Sequence, residues 1–322
     1  MKRCFILSLL CVTLAMLLPN LGKLPPETAP PDTPVPVVTG SPDEGETIAL
    51  RRGGETVTMP LADYLPGVVA AEMPASFASD ALRAQAVAAR TYTLYQKRHR
   101  RERHPEADVC DDPGCCQAWL DAAGRAALWG EGAPRWERAI AAAVKDTDGL
   151  VLTWEGEPIL ACFHASSAGS TESSAALWGR ALPYLVCVQS PETAADVPGF
   201  VSIAEVTAEE LRRAVRALAP SAALDVPPDS WLGEHVLDAG GRVERLTVGG
   251  AEISGEALRR AFALRSTAYR LEWTGQAFRF TVEGNGHGVG LSQYGANVMA
   301  RNHSTWQEIL AHYYPGTELC EK

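Results

Sequence analysis

The sequence predicts an α+β fold, because helix and strand patterns are interspersed without a regular alternation of strand and helix. Runs rich in β-branched residues, such as 243–248, indicate strands, whereas an Ala-rich stretch at about 134–145 indicates a helix. The 322 residues, 46% of them hydrophobic, suffice for one large or two medium domains with a sizeable core. The formal net charge of -10 argues against nucleic acid as a partner.

The N-terminus has the order of an export signal, with Met1-Lys2-Arg3 followed by an apolar run of about 16 residues. No clear small-x-small cleavage site follows, so residues 1–22 are expected to remain as a signal anchor. A cleaved signal peptide and a buried N-terminal helix are the alternatives. Residues 23–46 are rich in proline and acidic residues, which is typical of an extended linker. The folded region is therefore expected over residues 47–320.

The predicted elements follow the linker in order. A strand pair over 47–59 turns at Arg52-Gly53-Gly54, and two helices then meet at Pro74. Hydroxyl residues followed three positions later by Glu, at Thr207 and Thr305, indicate capping boxes at two later helices. The later elements are strands over 150–154, 158–164, 243–248 and 278–282 and helices over 134–145, 206–218, 254–263 and 304–314.

Glu72 stands at the first helix end. Pro74 disfavours continued helix, so the carboxylate is expected at the mouth of a helix-turn-helix corner. The second helix is predicted from about Asp80 to Arg98, with Ser76 or Ser79 as its cap. Its Arg83 and Arg90 lie about two turns apart and form a cationic face. Glu72 is therefore a candidate acid, and the plainer alternatives are a helix cap or a surface charge.

Three thiols and one imidazole lie within 13 residues, at His104, Cys110, Cys115 and Cys116. The turn sequence Asp111-Asp112-Pro113-Gly114 would fold these side chains back on each other, which suits a closed tetrahedral zinc site. Disulfide pairing is the rival interpretation, since export favours it and adjacent cysteines are awkward zinc ligands. Four protein ligands leave no open position, so such a zinc would be structural.

The remaining cysteines and two polar loops are less decisive. Cys162, Cys187 and Cys320 are buried thiols, or the first two form a bridge. The loop at 163–172 has the composition of a groove lining, although a solvated loop would look the same. In 284–295 alternate glycines permit close backbone packing, without the spacing of a dinucleotide fingerprint. His287 within it is interpreted as a structural histidine.

Four separated motifs occur in a characteristic order. They are residues 71–77 with 84–92, Trp178-Gly179 with Pro183-Tyr184-Leu185, residues 286–296 and residues 309–317. Together they closely resemble the stage II sporulation protein D (SpoIID) family, over about Leu61 to Leu319. Several motifs in the same order make this resemblance far more specific than one glycine pattern.

The resemblance implies a lytic transglycosylase that cleaves the bond between N-acetylmuramic acid and N-acetylglucosamine in peptidoglycan, leaving a 1,6-anhydromuramyl end. The glutamate of the family's Glu-Met-Pro motif is the catalytic acid and falls on Glu72. The implied zinc site of clostridial members matches the four residues above, with Cys115 in place of a histidine. Arg83 stands where relatives commonly have lysine. The implied substrate-binding residues are Arg83, Arg90, His164, Ser166, Ser167 and Tyr294.

The resemblance also implies a location and partners. The protein would be a single-pass protein of the mother-cell membrane with its catalytic region facing the septal wall during engulfment. It would act with a SpoIIP-like amidase and a SpoIIM-like membrane protein. The motif-poor residues 194–281 are predicted as an inserted docking subdomain within a core of 47–193 and 282–320.

The rival function is a non-catalytic peptidoglycan-binding enhancer of a cell-wall amidase, because amidase enhancers share the same motifs. A zinc hydrolase is disfavoured, since a closed thiolate site has no place for substrate.

Overall fold

A computed structural model describes residues 40–99 and 102–321. The predicted signal anchor and the linker as far as residue 39 lie outside the described residues. Across the ranges that are described, no helix has both the length and the apolar composition needed to cross a membrane.

Helices and several small sheets are interspersed along the described chain, which confirms the predicted mixed content of α and β structure. The helices are α1 (Leu61–Glu72), α2 (Ser79–Arg98), α3 (Ala122–Trp129), α4 (Ala133–Asp146), α5 (Ser174–Trp178), α6 (Ala208–Leu218), α7 (Gly255–Ala261), α8 (Gln293–Arg301) and α9 (Trp306–Tyr313). The strands are β1 (Thr47–Arg52), β2 (Glu55–Pro60), β3 (Val109–Cys110), β4 (Leu150–Trp154), β5 (Glu157–Pro158), β6 (Phe163–His164), β7 (Val201–Val206), β8 (Leu232–Leu237), β9 (Val243–Val248), β10 (Ala251–Ser254), β11 (Tyr269–Trp273), β12 (Phe278–Glu283), β13 (Leu291–Ser292) and β14 (Glu318–Glu321). Their sheet orders are β2-β1-β3, β14-β4-β5, β13-β6, β10-β9-β8 and β11-β12-β7.

Helix α2 is the centre of the main core. Every residue from 84 to 94 is buried, so this part of the helix has no solvent-exposed face. A helix buried all round must be covered on all sides, and α1, α4, α8, α9 and β4 all pack against α2. The many alanines of α2 allow these neighbours to approach closely.

The corner between α1 and α2 follows from the residue before a proline. Met73 is extended, with φ -130° and ψ 135°, as expected for a residue that precedes Pro74. Helix α1 therefore ends at Glu72, as predicted. The predicted cap by Ser76 or Ser79 is wrong, because Ala78 is the N-cap and makes no side-chain cap. The N–H of Ala78 instead donates to Asn297 Oδ1 of α8 at 3.0 Å, which fixes the corner against the C-terminal helices.

The predicted strand over 158–164 is broken in the structure. Between β5 and β6, the N–H groups of Ala161 and Cys162 donate to the carbonyls two residues earlier, at 2.9 and 2.8 Å. These tight turns use the backbone groups that a continuous strand would need for its ladder. Strand β6 pairs instead in parallel with β13, through Phe163 with Leu291 and His164 with Ser292. This pairing joins the two polar loops identified in the sequence.

A second cluster of buried apolar side chains is separate from the core around α2. It draws its members from β7 to β12 and from α6 and α7, and includes Trp231, Leu246, Phe278 and Phe280. The rings of Trp231 and Phe278 stack at 5.4 Å between centroids. The boundaries of an inserted subdomain in this part of the chain stay a prediction.

Arg90 and Asp43 form a buried ion pair between α2 and the residues before β1. Arg90 Nε and Nη2 donate to the two carboxylate oxygens of Asp43 at 2.9 and 2.7 Å. Both side chains are almost fully buried, at 0% and 2% exposed. Two further N–H groups of Arg90 donate to the carbonyls of Val144 and Leu150, each at 3.2 Å. The predicted linker is therefore too long at its C-terminal end, because Asp43 belongs to the folded body.

We expect Asp43→Ala to lower the free energy of unfolding by about 3–5 kcal/mol, since it leaves the Arg90 guanidinium buried without its counter-charge. Arg83→Ala on the same helix is the matched control. Arg83 pairs with Asp146 at 2.7 Å near the surface, so its loss should cost about 0–1 kcal/mol. Urea unfolding of both variants checks this, and equal effects would contradict the structural role of Asp43.

Candidate active site and cysteine cluster

Glu72 places its carboxylate between the cysteine-containing segment and α8. Its Oε1 accepts the backbone N–H of Ala118 at 2.6 Å, and its Oε2 accepts a long hydrogen bond from Gln293 Nε2 at 3.5 Å. Burial raises the pKa of the Glu72 carboxyl above its ordinary value, although both hydrogen bonds favour the charged form and oppose this shift. Glu72 therefore holds its proton at a higher pH than an exposed glutamic acid does.

A cleft of about 450 Å³ opens in front of Glu72. Five aromatic side chains line its walls, namely Tyr92, Phe163, His164, Trp178 and His287. Trp178 is the last residue of α5 and is 45% exposed, and its ring centroid lies 6.2 Å from that of His287. An exposed indole face beside polar groups suits the apolar face of a sugar ring. The cleft thus combines a partly buried acid with a flat apolar surface.

His164 is buried at the back of the cleft. Its Nδ1 lies 3.3 Å from the carbonyl oxygen of Val289, and its Nε2 lies 2.7 Å from Ser167 Oγ. Because a carbonyl only accepts, Nδ1 carries the proton and Nε2 accepts the hydroxyl hydrogen. Burial, together with the nearby His287 and Arg242, lowers the pKa of His164 well below its ordinary value. His164 is therefore neutral near pH 7 and offers no charge to a ligand.

The glycine loop after β12 passes very close to β6. Gly286 has φ 109°, and a Cβ there would lie 2.7 Å from the Cβ of His164. Gly290 has φ 73°, and its Cβ would lie 2.0 Å from the carbonyl oxygen of Cys162. Only glycine avoids both the strain and the clash. The prediction of close backbone packing is confirmed, and His287 within this loop lines the cleft as well.

The structure brings His164 to the cleft, but it does not bring the other predicted substrate-binding residues there. Arg90 is held by Asp43 in the core, as described above. Ser166 and Ser167 are both fully buried. The predictions that these three contact substrate are therefore wrong, because no surface of their side chains is open to a ligand.

Arg83 and Tyr294 are not among the side chains that line the cleft. The Arg83 guanidinium is bound to Asp146, and Tyr294 packs edge-on against Phe77 with 5.0 Å between ring centroids. Tyr294 supports the corner that carries Glu72, rather than the cleft surface itself.

Glu192 explains the burial of the serine loop, which is the loop at 163–172 that contains Ser166 and Ser167. This carboxylate accepts the Ser167 N–H and the Ser190 hydroxyl, each at 2.6 Å, and also the hydroxyl of Ser292. It is 3% exposed, so one buried group joins β13, the serine loop and the segment after Cys187. Sequence reasoning missed Glu192, because two of its three partners, Ser167 and Ser292, lie 25 and 100 residues from it along the chain.

Three other residues at the site were also missed. Ala118 acts through its backbone, which leaves no trace in residue type. Gln293 was part of a family motif but was given no role. Trp178 carried a usable signal, because a tryptophan followed by glycine in a polar region often marks an exposed helix end.

The four predicted metal ligands are brought together, and their ligand atoms all lie within 4.8 Å of one another. Cys110 ends β3, which pairs in parallel with β1. The N–H groups of Cys115 and Cys116 both donate to the carbonyl of Asp112, at 2.9 and 2.8 Å. This turn directs the adjacent cysteines toward Cys110. Cys110, Cys115 and Cys116 form no disulfide with one another.

The His104 imidazole completes the cysteine cluster with the correct nitrogen. Its Nδ1 lies 3.2 Å from the carbonyl of Ala107 and must donate to it, which leaves Nε2 as a lone-pair donor. Nε2 lies 3.3 Å from Cys116 Sγ. In a tetrahedron with Zn–S bonds of about 2.3 Å, ligand atoms lie about 3.8 Å apart. The residues present therefore fit a tetrahedral zinc ion.

The cysteine cluster and Glu72 are neighbours in space. Pro113, Gly114, Cys115 and Cys116 line the same cleft as Glu72. Ala118, whose N–H binds the Glu72 carboxylate, follows Cys116 by only two residues. Whatever fixes the cluster therefore also fixes a hydrogen-bond donor to the acid.

Together these features define a mixed α and β protein with a partly buried glutamate in an open cleft beside a Cys3His cluster. A profile of the stage II sporulation protein family, SpoIID, matches residues 52–154. Stage II sporulation protein D of Bacillus subtilis (strain 168) is 34% identical over 265 residues, which cover 82% of this chain and 75% of that protein. The protein of the same name from Bacillus amyloliquefaciens is 32% identical over the same shares. The chain belongs to the stage II sporulation protein D family, as its motifs predicted.

A further relative carries a different name. The amidase enhancer of Bacillus subtilis (strain 168) is 25% identical over 307 residues, which cover 79% of this chain and 40% of that protein. The family places the chain among sporulation proteins, and one relative of the chain is named an amidase enhancer.

Proposed function

We propose that the protein is a lytic transglycosylase that cleaves peptidoglycan glycan strands between N-acetylmuramic acid and N-acetylglucosamine. The observation that carries this proposal is the Glu72 carboxyl, which is partly buried, has a raised pKa and faces a cleft with an exposed indole. The other carboxylate that lines this cleft, Glu256, is bound to Arg259 and Arg260 at 3.2 and 2.9 Å. Glu256 is therefore engaged by two guanidinium groups, which leaves Glu72 as the group suited to donate a proton.

The reaction needs only one acid. Protonated Glu72 gives its proton to the glycosidic oxygen as the bond from that oxygen to the muramyl anomeric carbon breaks. The resulting carboxylate then takes the proton of the muramyl 6-hydroxyl, whose oxygen bonds to the anomeric carbon. The products are a 1,6-anhydromuramyl end and a free hydroxyl on the other strand, and Glu72 regains its proton. Because the nucleophile belongs to the substrate, no second carboxylate is required.

The surroundings of Glu72 support both halves of this cycle. Burial favours the proton-bearing form that begins the reaction. The Ala118 N–H stabilises the carboxylate that forms next, at the cost of no rearrangement. Trp178 offers a surface on which a sugar ring can be oriented, and neutral His164 keeps the back wall of the cleft uncharged.

The test is to incubate the purified full-length protein with peptide-free glycan strands and to analyse the products by mass spectrometry. Anhydromuramyl ends are expected, each lighter by one water than a reducing end. Reducing ends without anhydromuramyl ends would show hydrolysis and refute the lytic mechanism. The absence of any cleavage would refute the enzymatic proposal.

The second candidate function is the enhancement of a cell-wall amidase, and the relative named amidase enhancer favours it. Its signature would be faster release of stem peptides by an amidase in the presence of this protein, without anhydromuramyl products. The same incubation, repeated with an amidase, separates the two functions.

We also propose that the cluster of His104, Cys110, Cys115 and Cys116 holds one structural zinc ion. Bound zinc would cross-link β3, the turn after it and the segment that leads to Ala118. We further propose, from the family resemblance, a membrane-anchored protein whose cleft faces the cell wall outside the cytoplasm. A SpoIIP-like amidase and a SpoIIM-like membrane protein are its proposed partners there.

The proposed acid role sets a pH dependence. We expect kcat/KM to fall as the pH rises through the pKa of Glu72, with a midpoint above the ordinary value of 4.5 because burial raises that pKa. Gln293→Met removes a donor to the charged form, so the midpoint should move further upward. Initial rates across pH 4 to about 9 check this. A midpoint that stays in place or moves downward in Gln293→Met would contradict the assignment.

A further inference from the structure

The cleft at Glu72 continues into a second cavity of about 630 Å³. The two cavities share lining residues, which include Pro113 and Gly114 of the turn in the cysteine cluster and His287 of the glycine loop. A polymer that passes Glu72 could therefore extend into this second cavity. None of the roles proposed so far uses the side chains that line it.

Arginine dominates the second cavity. Its lining includes three arginines, namely Arg103, which precedes the cysteine cluster, and Arg259 and Arg260 of α7. The only carboxylate among its described lining residues is Glu256, one turn before the two arginines of α7. The cavity is thus positively charged in a chain whose formal net charge is -10. Such a local excess of one sign attracts an anionic ligand.

The two arginines of α7 are positioned and still available. Glu256 Oε1 and Oε2 hold Arg260 and Arg259 at 2.9 and 3.2 Å, which restricts where the guanidinium groups lie. The Arg260 side chain nevertheless remains 75% exposed. Nε of Arg259 is buried, and no described residue accepts its hydrogen. One carboxylate thus orders two guanidinium groups without neutralising both.

His287, which lines both cavities, is affected by the same positive charges. Burial first, and then the guanidinium groups of Arg259 and Arg242, lower the pKa of His287 to about 4. Of these causes, only the two guanidinium groups favour a negative charge on a ligand at the same place, because burial disfavours a charge of either sign. His287 stays neutral near pH 7, so the arginines supply the charge.

We infer that Arg259 and Arg260, with Arg103 on the opposite wall, form a subsite for a carboxylate carried by a muramyl residue next to the bond that is cleaved. The inference rests on the proposed function, because it takes its ligand from the glycan. Guanidinium groups bind carboxylates through paired, charge-assisted hydrogen bonds. A muramyl residue supplies the carboxylate in one of two ways: its lactyl group is a free acid after the stem peptide is removed, or the attached stem peptide carries acids of its own.

The test measures binding to full-length Glu72→Gln protein by calorimetry, so that no substrate is consumed. Four glycans of equal length are compared: peptide-free glycan with lactyl acids, the same glycan with these acids converted to methylamides, glycan with stem peptides, and a chitin oligosaccharide. We expect the lactyl acid or the stem-peptide form to bind at least about ten-fold more tightly than the methylamide form. The tighter of the two identifies the source of the carboxylate.

Arginine variants then test whether these arginines cause the preference for the acid glycan. Arg260→Gln, and Arg259→Gln with Arg260→Gln, should bind the acid and methylamide glycans equally, while affinity for the chitin oligosaccharide stays unchanged. Arg216→Gln is the matched control, because Arg216 of α6 pairs with Asp225 and lines neither cavity. Arg260 is mostly exposed, so its single variant should keep the parent melting temperature.

Equal affinity of the parent for the acid, methylamide and stem-peptide forms would overturn the subsite. An acid preference that survives in the arginine variants would do the same. Either result would leave the proposed function standing if the parent enzyme still forms anhydromuramyl ends. Conversely, loss of the acid preference in the arginine variants would support the subsite even if no cleavage were observed.

Discussion

Glu72→Gln is expected to lower the rate of anhydromuramyl formation by about 10² to 10⁴-fold, the range typical of a general acid and base. Glutamine cannot donate a proton to the glycosidic oxygen and cannot take one from the 6-hydroxyl. Its side-chain oxygen can still accept the Ala118 N–H, so the fold should be retained. The rate is measured from the mass-spectrometric yield of anhydromuramyl ends over time.

Glu244→Gln is the control for Glu72→Gln, because Glu244 is half exposed and pairs with Arg245 away from the cleft. It should keep the parent rate. A Glu72→Gln protein that forms anhydromuramyl ends at the parent rate would show that another group supplies the proton. Glu72 would then be a structural residue that terminates α1.

Removal of zinc is expected to have the second large effect. Metal analysis of protein purified under reducing conditions should give about one zinc per chain. Structural zinc contributes about 10–16 kcal/mol in small zinc-finger peptides. Because this protein has a large core of its own, we expect stripping to cost at least about 3 kcal/mol and to lower the melting temperature by about 10 °C.

Cys116→Ser should reproduce this loss of stability, whereas Cys320→Ser should not, because Cys320 lies on β14 outside the cluster. Zinc removal should also lower activity, since the cluster positions the Ala118 N–H that binds Glu72. A metal-free protein with unchanged melting temperature would contradict the structural zinc. Loss of two thiols that a reductant restores would instead indicate a disulfide.

The parts of the fold that local chemistry decides were predictable. Pro74 ends α1 at Glu72, and Thr207 and Thr305 form the predicted capping boxes with Glu210 and Glu308. Each of these features depends on residues within a few positions of each other. The juxtaposition of the four side chains in the cysteine cluster was predictable for the same reason, because they fall within 13 residues.

The site residues that were wrong or missed depend on distant partners. The helical spacing predicted that Arg90 is a surface cation. In the structure, Arg90 instead forms an ion pair in the core with Asp43, 47 residues earlier. Ser167 was predicted to contact substrate. In the structure its N–H donates to the buried carboxylate of Glu192, 25 residues later. Sequence spacing gives no access to such pairs, because tertiary packing alone decides which polar groups meet. Sequence spacing also does not predict the second cavity, because Arg103 and Arg260, which line it, lie about 150 positions apart.

The Asp43–Arg90 pair also determines where the chain can be cut. A fragment that begins at Thr47, where the first strand starts, would lack the only carboxylate that the described residues place on the Arg90 guanidinium. The autonomous unit therefore begins upstream of its first strand, and a soluble fragment has to retain the residues from Gly40 onward. A force applied to the chain on the N-terminal side of this unit reaches Asp43, and with it the ion pair at α2, before it reaches β1.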